Sequence, residues 1–244
     1  MTLKNLFPTL TAWVALCLSA APSNAQSPLS QQTQDGMLHV LAHEIGHAVL
    51  REFDLPILGP EVAIADDFAT LYVYRHFPER AEDIISARAR QNMAEGHTAE
   101  AFSEYTSDTQ RAGRSVCLLY GQDPDTFAGL AQDWGLDGDA AAGCRDFSTE
   151  VARSWRRVLA EFEMPDTARI TEVGFSVEEA PFPLALAQSG FREDAHQLLA
   201  GIDWHSKVRL VLKQCDGSSW YARNGRRITI CSDYIRRFET QLSK

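Results

Sequence analysis

Leu38, Leu41, Ala42, Ile45 and Val49 recur at the spacing that puts apolar side chains on one face of a helix. The pattern predicts a helix over the stretch from Met37, capped by Asp35 and stopped by Asp54-Leu55-Pro56. The residues before it, Gln26 to Gln34, are polar and read as a leader. After a turn-rich loop, Leu55 to Pro60, a second stripe of Val62, Ala65, Phe68, Ala69, Tyr72 and Val73 predicts a helix over Glu61 to Phe77, closed by Pro78. Further helices are expected over Ala81–Met93 and Asp108–Tyr120, a short one at Asp123-Pro124-Asp125, and a long one over Cys144–Phe162. From Ile170 the period shortens. Ile170–Val177 suggests a strand, and Phe182–Ala200 is partly helical. Val208–Lys213 and Arg226–Cys231 alternate apolar and polar, with turn signals at Asp216-Gly217 and Asn224-Gly225, before a closing helix over Asp233–Leu242. The expected class is α+β, mostly helical with a small antiparallel sheet whose strands come largely from residues 170–231.

The first 25 residues carry one charge, Lys4, then an apolar run from Leu6 to Ala20 and a small-x-small site at Ser23-Asn24-Ala25. This reads as an export signal, since the run is too short and interrupted to span a bilayer. The expected organisation is a signal at 1–25, a leader at 26–36 and one domain at 37–244, located in the periplasm or outside the cell. With a formal charge of −10 and no basic run, the composition argues against a nucleic-acid partner and, after signal cleavage, against a membrane. Beyond Cys17 in the signal stand Cys117, Cys144, Cys215 and Cys231, an even number that suggests two disulfides in an exported chain. The pairing favoured is the local one, Cys117–Cys144 and Cys215–Cys231, over thiolate ligation of a metal.

The first helix also holds His43-Glu44-Ile45-Gly46-His47, an H-E-x-x-H arrangement. Residues four apart stack on one helix face, so His43 and His47 can hold one zinc ion while Glu44 serves as general base. His39 lies one turn earlier on the same stripe and reads as a surface histidine. His97, His196 and His205 have no partner at ligand spacing in the sequence.

The runs H-E-I-G-H-A-V-L, D-L-P-I-L-G-P-E and A-D-D-F-A-T-L resemble an exported bacterial metallopeptidase family of gluzincin-like type, carried as a domain of unknown function. D-T-Q-R, C-L-L-Y-G-Q-D-P and a later Cys before Ser154-Trp155 extend the resemblance over about Leu38 to Leu159. The resemblance implies a zincin-like fold, a small sheet packed on the zinc helix. It also implies a third ligand on the second helix, a Glu four residues before an Asp. Here that position is Val62, so Glu61 and Asp66 are the candidate metal ligands, Asp66 alternatively orienting a histidine from behind; Asp67 reads as solvated or capping. Where the family tends to carry a His ahead of D-x-Q-R this chain has Tyr105, a candidate oxyanion donor. The cysteine-bracketed strand pair that such families place before the zinc helix is found instead at 215–234, which implies a circular permutation.

Together these expectations describe a zinc metallopeptidase acting on a peptide or protein that adds as a strand to the sheet edge, for which Ile228–Ile230 is a candidate. The alternative is a catalytically degenerate relative that binds a peptide or envelope partner without cleaving it.

Overall fold

Helix α1 (Gln31–Glu52) is buried on nearly every side, so the rest of the chain is best described by what it packs against that helix. In the computed structural model, residues 28–100, 106–163 and 173–242 are described; the proposed signal at 1–25 and Tyr105 lie outside them. Helix α1 starts at Gln31, within the stretch expected as leader. Its cap is Ser30, whose hydroxyl accepts from the Thr33 N–H. Asp35, expected as the cap, instead lies buried inside the helix and accepts from Arg80 at 2.7 Å. The earlier start has a packing reason. Leu29, Thr33 and Gly36 are already in the interior, and a Cβ on Gly36 would come within 2.3 Å of the Phe238 ring.

Helix α2 (Glu61–His76) lies directly along α1. Gly46, inside the histidine motif, permits the approach: a Cβ there would meet Ala65 Cα at 3.1 Å and Phe68 Cδ1 at 3.1 Å. Helix α3 (Ala81–Glu95) covers another side of α1, and α4 (Asp108–Tyr120) packs on α2 and α3. A capping box of Ser107 and Gln110 starts α4. A short helix α5 (Ala128–Asp133) and the long α6 (Gly138–Leu159) follow, α6 tied to α4 by the Cys117–Cys144 disulfide. Helices α7 (Pro181–Ala187), α8 (Phe191–Ala200) and α9 (Ser232–Leu242) complete the helical part.

The sheet departs from expectation in one respect. It has four strands, β1 (Gly174–Val177), β2 (Arg209–Lys213), β3 (Ser219–Ala222) and β4 (Arg227–Cys231), in the order β1-β2-β4-β3. β1 pairs parallel with β2, and β2 parallel with β4; only β3 and β4 are antiparallel. The sheet is therefore mixed. Both turn signals between β2 and β4 are used, and two reversals return the chain to its original direction. The intervening Ser-Trp-Tyr-Ala segment becomes the edge strand. The second disulfide, Cys215–Cys231, closes this unit, and both pairings are those favoured from the sequence.

The alternation in β2 and β4 sends Leu210, Leu212, Ile228 and Ile230 into an apolar cluster shared with Met37, Leu41, Ile45, Phe68, Leu198 and Phe238. The class is α+β. Among the described residues, no helix is long and apolar enough to cross a membrane.

Candidate metal centre

His43 and His47 sit one turn apart on α1 with their Nε2 atoms 3.1 Å apart. Two nitrogen ligands on a tetrahedral zinc, each at ~2.0–2.1 Å, stand about 3.3 Å from one another, so the pair fits a single ion. Each Nδ1 is turned the other way, onto a carboxylate of α2. His43 Nδ1 is 2.7 Å from Asp66 Oδ1, and His47 Nδ1 is 2.6 Å from Glu61 Oε1. Behind each carboxylate stands an arginine. Arg111 of α4 grips Asp66 with two bonds, Nε to Oδ2 at 2.7 Å and Nη2 to Oδ1 at 3.0 Å. Arg51 donates from Nε to Glu61 Oε1 at 2.8 Å.

The electrostatics follow from this layout. Burial by itself would raise the Asp66 carboxyl, but the charges of His43 and Arg111 outweigh it and hold the group well below the usual carboxylate range. Glu61 is likewise lowered, burial being overcome by the bonds from His47 and Arg51. His47 is lowered by burial and by the neighbouring His43, which favours the neutral ring that a ligand requires. Thus Glu61 and Asp66, the candidate third ligands, stand against the histidines' outer nitrogens in this arrangement.

Glu44 is buried beside the pair, and its Oε1 accepts from the Ser219 hydroxyl of β3 at 2.7 Å. Farther along α1, Glu52 accepts from the Tyr221 hydroxyl and from Arg226. These bonds fasten β3 along the helix and make one wall of a cleft of about 250 Å³. Val40, His43, Glu44, His47, Arg51, Val62, Arg88 and Arg111 line the rest, with Tyr234 from α9. Ile228–Ile230, the expected docking edge, lies in β4 with β2 on one side and β3 on the other, so both its edges are taken. Among the described residues, the free edge beside the cleft belongs to β3.

Three histidine and aspartate expectations change. His39 is fully buried, not on the surface, and among the described residues neither ring nitrogen has a hydrogen-bond partner. Burial, with Arg88 nearby, pushes its pKa down to about 3. Asp67 is buried and held by Arg114 through both oxygens, at 2.6 and 2.7 Å. His97 gains ligand-type neighbours in space: Glu95, His97 and Asp108 bring donor atoms within 4.8 Å of one another. Their carboxylates already face Arg237 (3.4 Å from Glu95) and Arg111 (3.8 Å from Asp108), which opposes a cation there. Sequence reasoning gave no role to Arg111, Arg88, Ser219 or Tyr234. D-T-Q-R marked Arg111 as part of a motif, and Ser219 and Tyr234 fall within the singled-out stretch 215–234; nothing local marks Arg88.

Compared with models of protein families, residues 14–159 match the family described as "Putative metallopeptidase". Such a family implies a metal ion. No curated protein and no solved structure gives a match.

Proposed function

We propose, from the premise that the chain belongs to this metallopeptidase family, that it is an exported zinc peptidase with a zincin-like arrangement centred on His43, Glu44 and His47. One observation carries the proposal: two Nε2 atoms 3.1 Å apart face a cleft, each imidazole backed by a carboxylate, with a buried glutamate beside them. His43 and His47 would hold the ion through Nε2. Asp66 and Glu61 would accept hydrogen bonds from the Nδ1–H groups, fixing tautomer and ring orientation and raising ligand basicity, as metal-bound histidines commonly require. Zinc bound there supplies Lewis acidity, lowering the pKa of water toward about 7 and polarising a carbonyl.

The chain's own residues do the rest. Ser219 occupies Glu44 Oε1 and leaves Oε2 to accept a proton from the attacking water as its oxygen bonds to the peptide carbonyl carbon. The same carboxyl then hands that proton to the departing amide nitrogen as the C–N bond breaks. The substrate would lie extended along the free edge of β3, pairing with its backbone as peptides do at sheet edges. Tyr105, outside the described residues, is kept as the oxyanion donor that the resemblance suggests. The Cys215–Cys231 unit standing beside α1 supports the idea of a permuted domain, and the two disulfides suit an oxidising compartment.

A second reading has its own support. Among the described residues, no third ligand-type side chain gathers with the two Nε2 atoms. A peptide-binding protein that takes metal weakly would look the same. Elemental analysis of the chain made in an oxidising compartment separates the two. About one zinc per chain, lost in His43→Ala, together with peptide hydrolysis lost in Glu44→Gln by a factor of 100 or more, supports the peptidase. Folded protein without zinc, or hydrolysis untouched by Glu44→Gln, rules it out.

A further inference from the structure

Arg88 stands apart from the other cations of the cleft. Arg51 is paired with Glu61 and Arg111 with Asp66, but Arg88 has no carboxylate within 4.0 Å among the described residues. It is only 5% exposed, yet it lines the same cleft as His43, Glu44 and His47. An unpaired guanidinium in so buried a place is costly to keep. The fold nevertheless braces it. Arg88 Nη1 donates to the Tyr234 hydroxyl at 2.9 Å, and its guanidinium lies 6.0 Å from the centre of the Phe238 ring. Both supports come from α9, so the side chain is held from behind and the remaining donors are left for the cleft.

Arg88 shares its cleft with the candidate metal centre, lining the same space as His43, Glu44 and His47. The fork of an arginine matches a carboxylate with two parallel bonds.

We infer that Arg88, held by Tyr234, binds a substrate carboxylate near the bond brought to His43, Glu44 and His47. The substrate class is thus a peptide bearing a carboxylate close to the scissile bond, either its own C-terminus or an Asp or Glu side chain. The inference rests on the peptidase reading for the word substrate, but binding alone can test it.

The experiment uses calorimetry and Trp220 fluorescence, since that ring lines the cleft and is 38% exposed. Three probes are titrated into the whole exported chain: acetyl-trialanine with a free carboxylate, its C-terminal amide, and an amide with Glu in the last position. The free acid should bind about 10- to 100-fold tighter than the plain amide, the value of a charge-assisted bond pair. Recovery by the Glu amide assigns the site to side-chain carboxylates; failure to recover assigns it to C-termini. Arg88→Gln should abolish the preference, Arg88→Lys keep part of it, and Tyr234→Phe weaken it while leaving the packing intact. Equal binding of all three probes by the wild-type chain, or no binding up to about 10 mM, overturns the inference without any variant having to fold. A preference that persists in folded Arg88→Gln also overturns it. Carboxylate preference in binding with no cleavage of any probe would sink the peptidase reading alone; cleavage without preference would sink the Arg88 assignment alone.

Discussion

His43 and His47 present the same imidazole to the same point from one helix, yet the supports behind them belong to different environments. Behind His43, Asp66 is buried and Arg111 is 12% exposed, so the inner arm is a dry chain of histidine, carboxylate and guanidinium. Behind His47, Glu61 is 19% exposed and Arg51 41% exposed, so the outer arm faces water. Identical pair geometry therefore has two meanings. In the inner arm each charge depends on its neighbour, because losing one leaves the next buried and uncompensated. In the outer arm water can take over for a lost partner. On the proposed reading, the inner arm joins the candidate metal centre to the stability of the fold, and the outer arm tunes that centre without holding the protein together.

The largest effect should follow from Asp66→Ala. Arg111 would be left buried with Asp108 at 3.8 Å as its remaining acidic neighbour. Unfolding free energy should fall by about 3–5 kcal/mol, read from urea denaturation of metal-free protein, and zinc affinity should fall as well. Glu61→Gln should cost within about 1 kcal/mol of stability but 10- to 100-fold in zinc affinity. If the two variants lose equal stability, the contrast between the arms is wrong. A loss of zinc binding in Glu61→Gln far beyond that range would instead show that Glu61 reaches the ion itself.

Acid titration sharpens the same contrast. Asp66 and Glu61 are both lowered on folding, so the stability they contribute is present above their unfolded pKa values, near 4, and is lost as pH falls toward their folded values. Asp66 is displaced further, so its part should persist to lower pH than that of Glu61. Chemical shifts of the two carboxyl carbons, followed from pH 6 to pH 2, would order them. Glu61 titrating below Asp66 would contradict the burial argument.

Much of this site could be read along the chain, and the missing part has a common cause. The H-E-x-x-H spacing needs only helical geometry, and the apolar stripe around it made the helix legible. The second helix, too, was legible, from Pro60 and the stripe beginning at Val62. What the stripe could not give is which side of α2 faces the histidines. Gly46 settles that by letting Ala65 and Phe68 close in, so Glu61 and Asp66 meet Nδ1 and not the cleft. Ser219 and Tyr234 arrive from elements far away in sequence, beside a sheet whose parallel β2–β4 pairing no local pattern announces, and Arg88 arrives from α3, whose packing on α1 no stripe specifies. Two turn signals in one stretch meant two reversals, and counting them as one hairpin produced the antiparallel expectation. His39 was misplaced for a related reason: its exposure is decided by α3, which packs over it from forty residues away.

His39 supplies the smallest effect and a test of what the inner arm tolerates. It is wholly buried beside Asp66, His43, Arg88 and Arg111, and among the described residues neither of its nitrogens is hydrogen-bonded. Its pKa is ordinarily near 6.5 and is held at about 3 in the fold, so on acidification the unfolded chain takes a proton that the folded chain refuses. The stability tied to this residue is full above about pH 6.5 and declines toward pH 3, by up to about 1.4 kcal/mol per pH unit. His39→Leu should therefore change little at pH 7, within about 1 kcal/mol, because an apolar side chain of similar reach replaces two unsatisfied polar atoms. At pH 5 the same variant should be more stable than the parent by about 2 kcal/mol, the parent having lost what the leucine cannot lose. Urea midpoints of metal-free protein at the two pH values decide it. A large loss at pH 7 would mean that the imidazole does more than fill space, and that the inner arm extends one helical turn beyond His43.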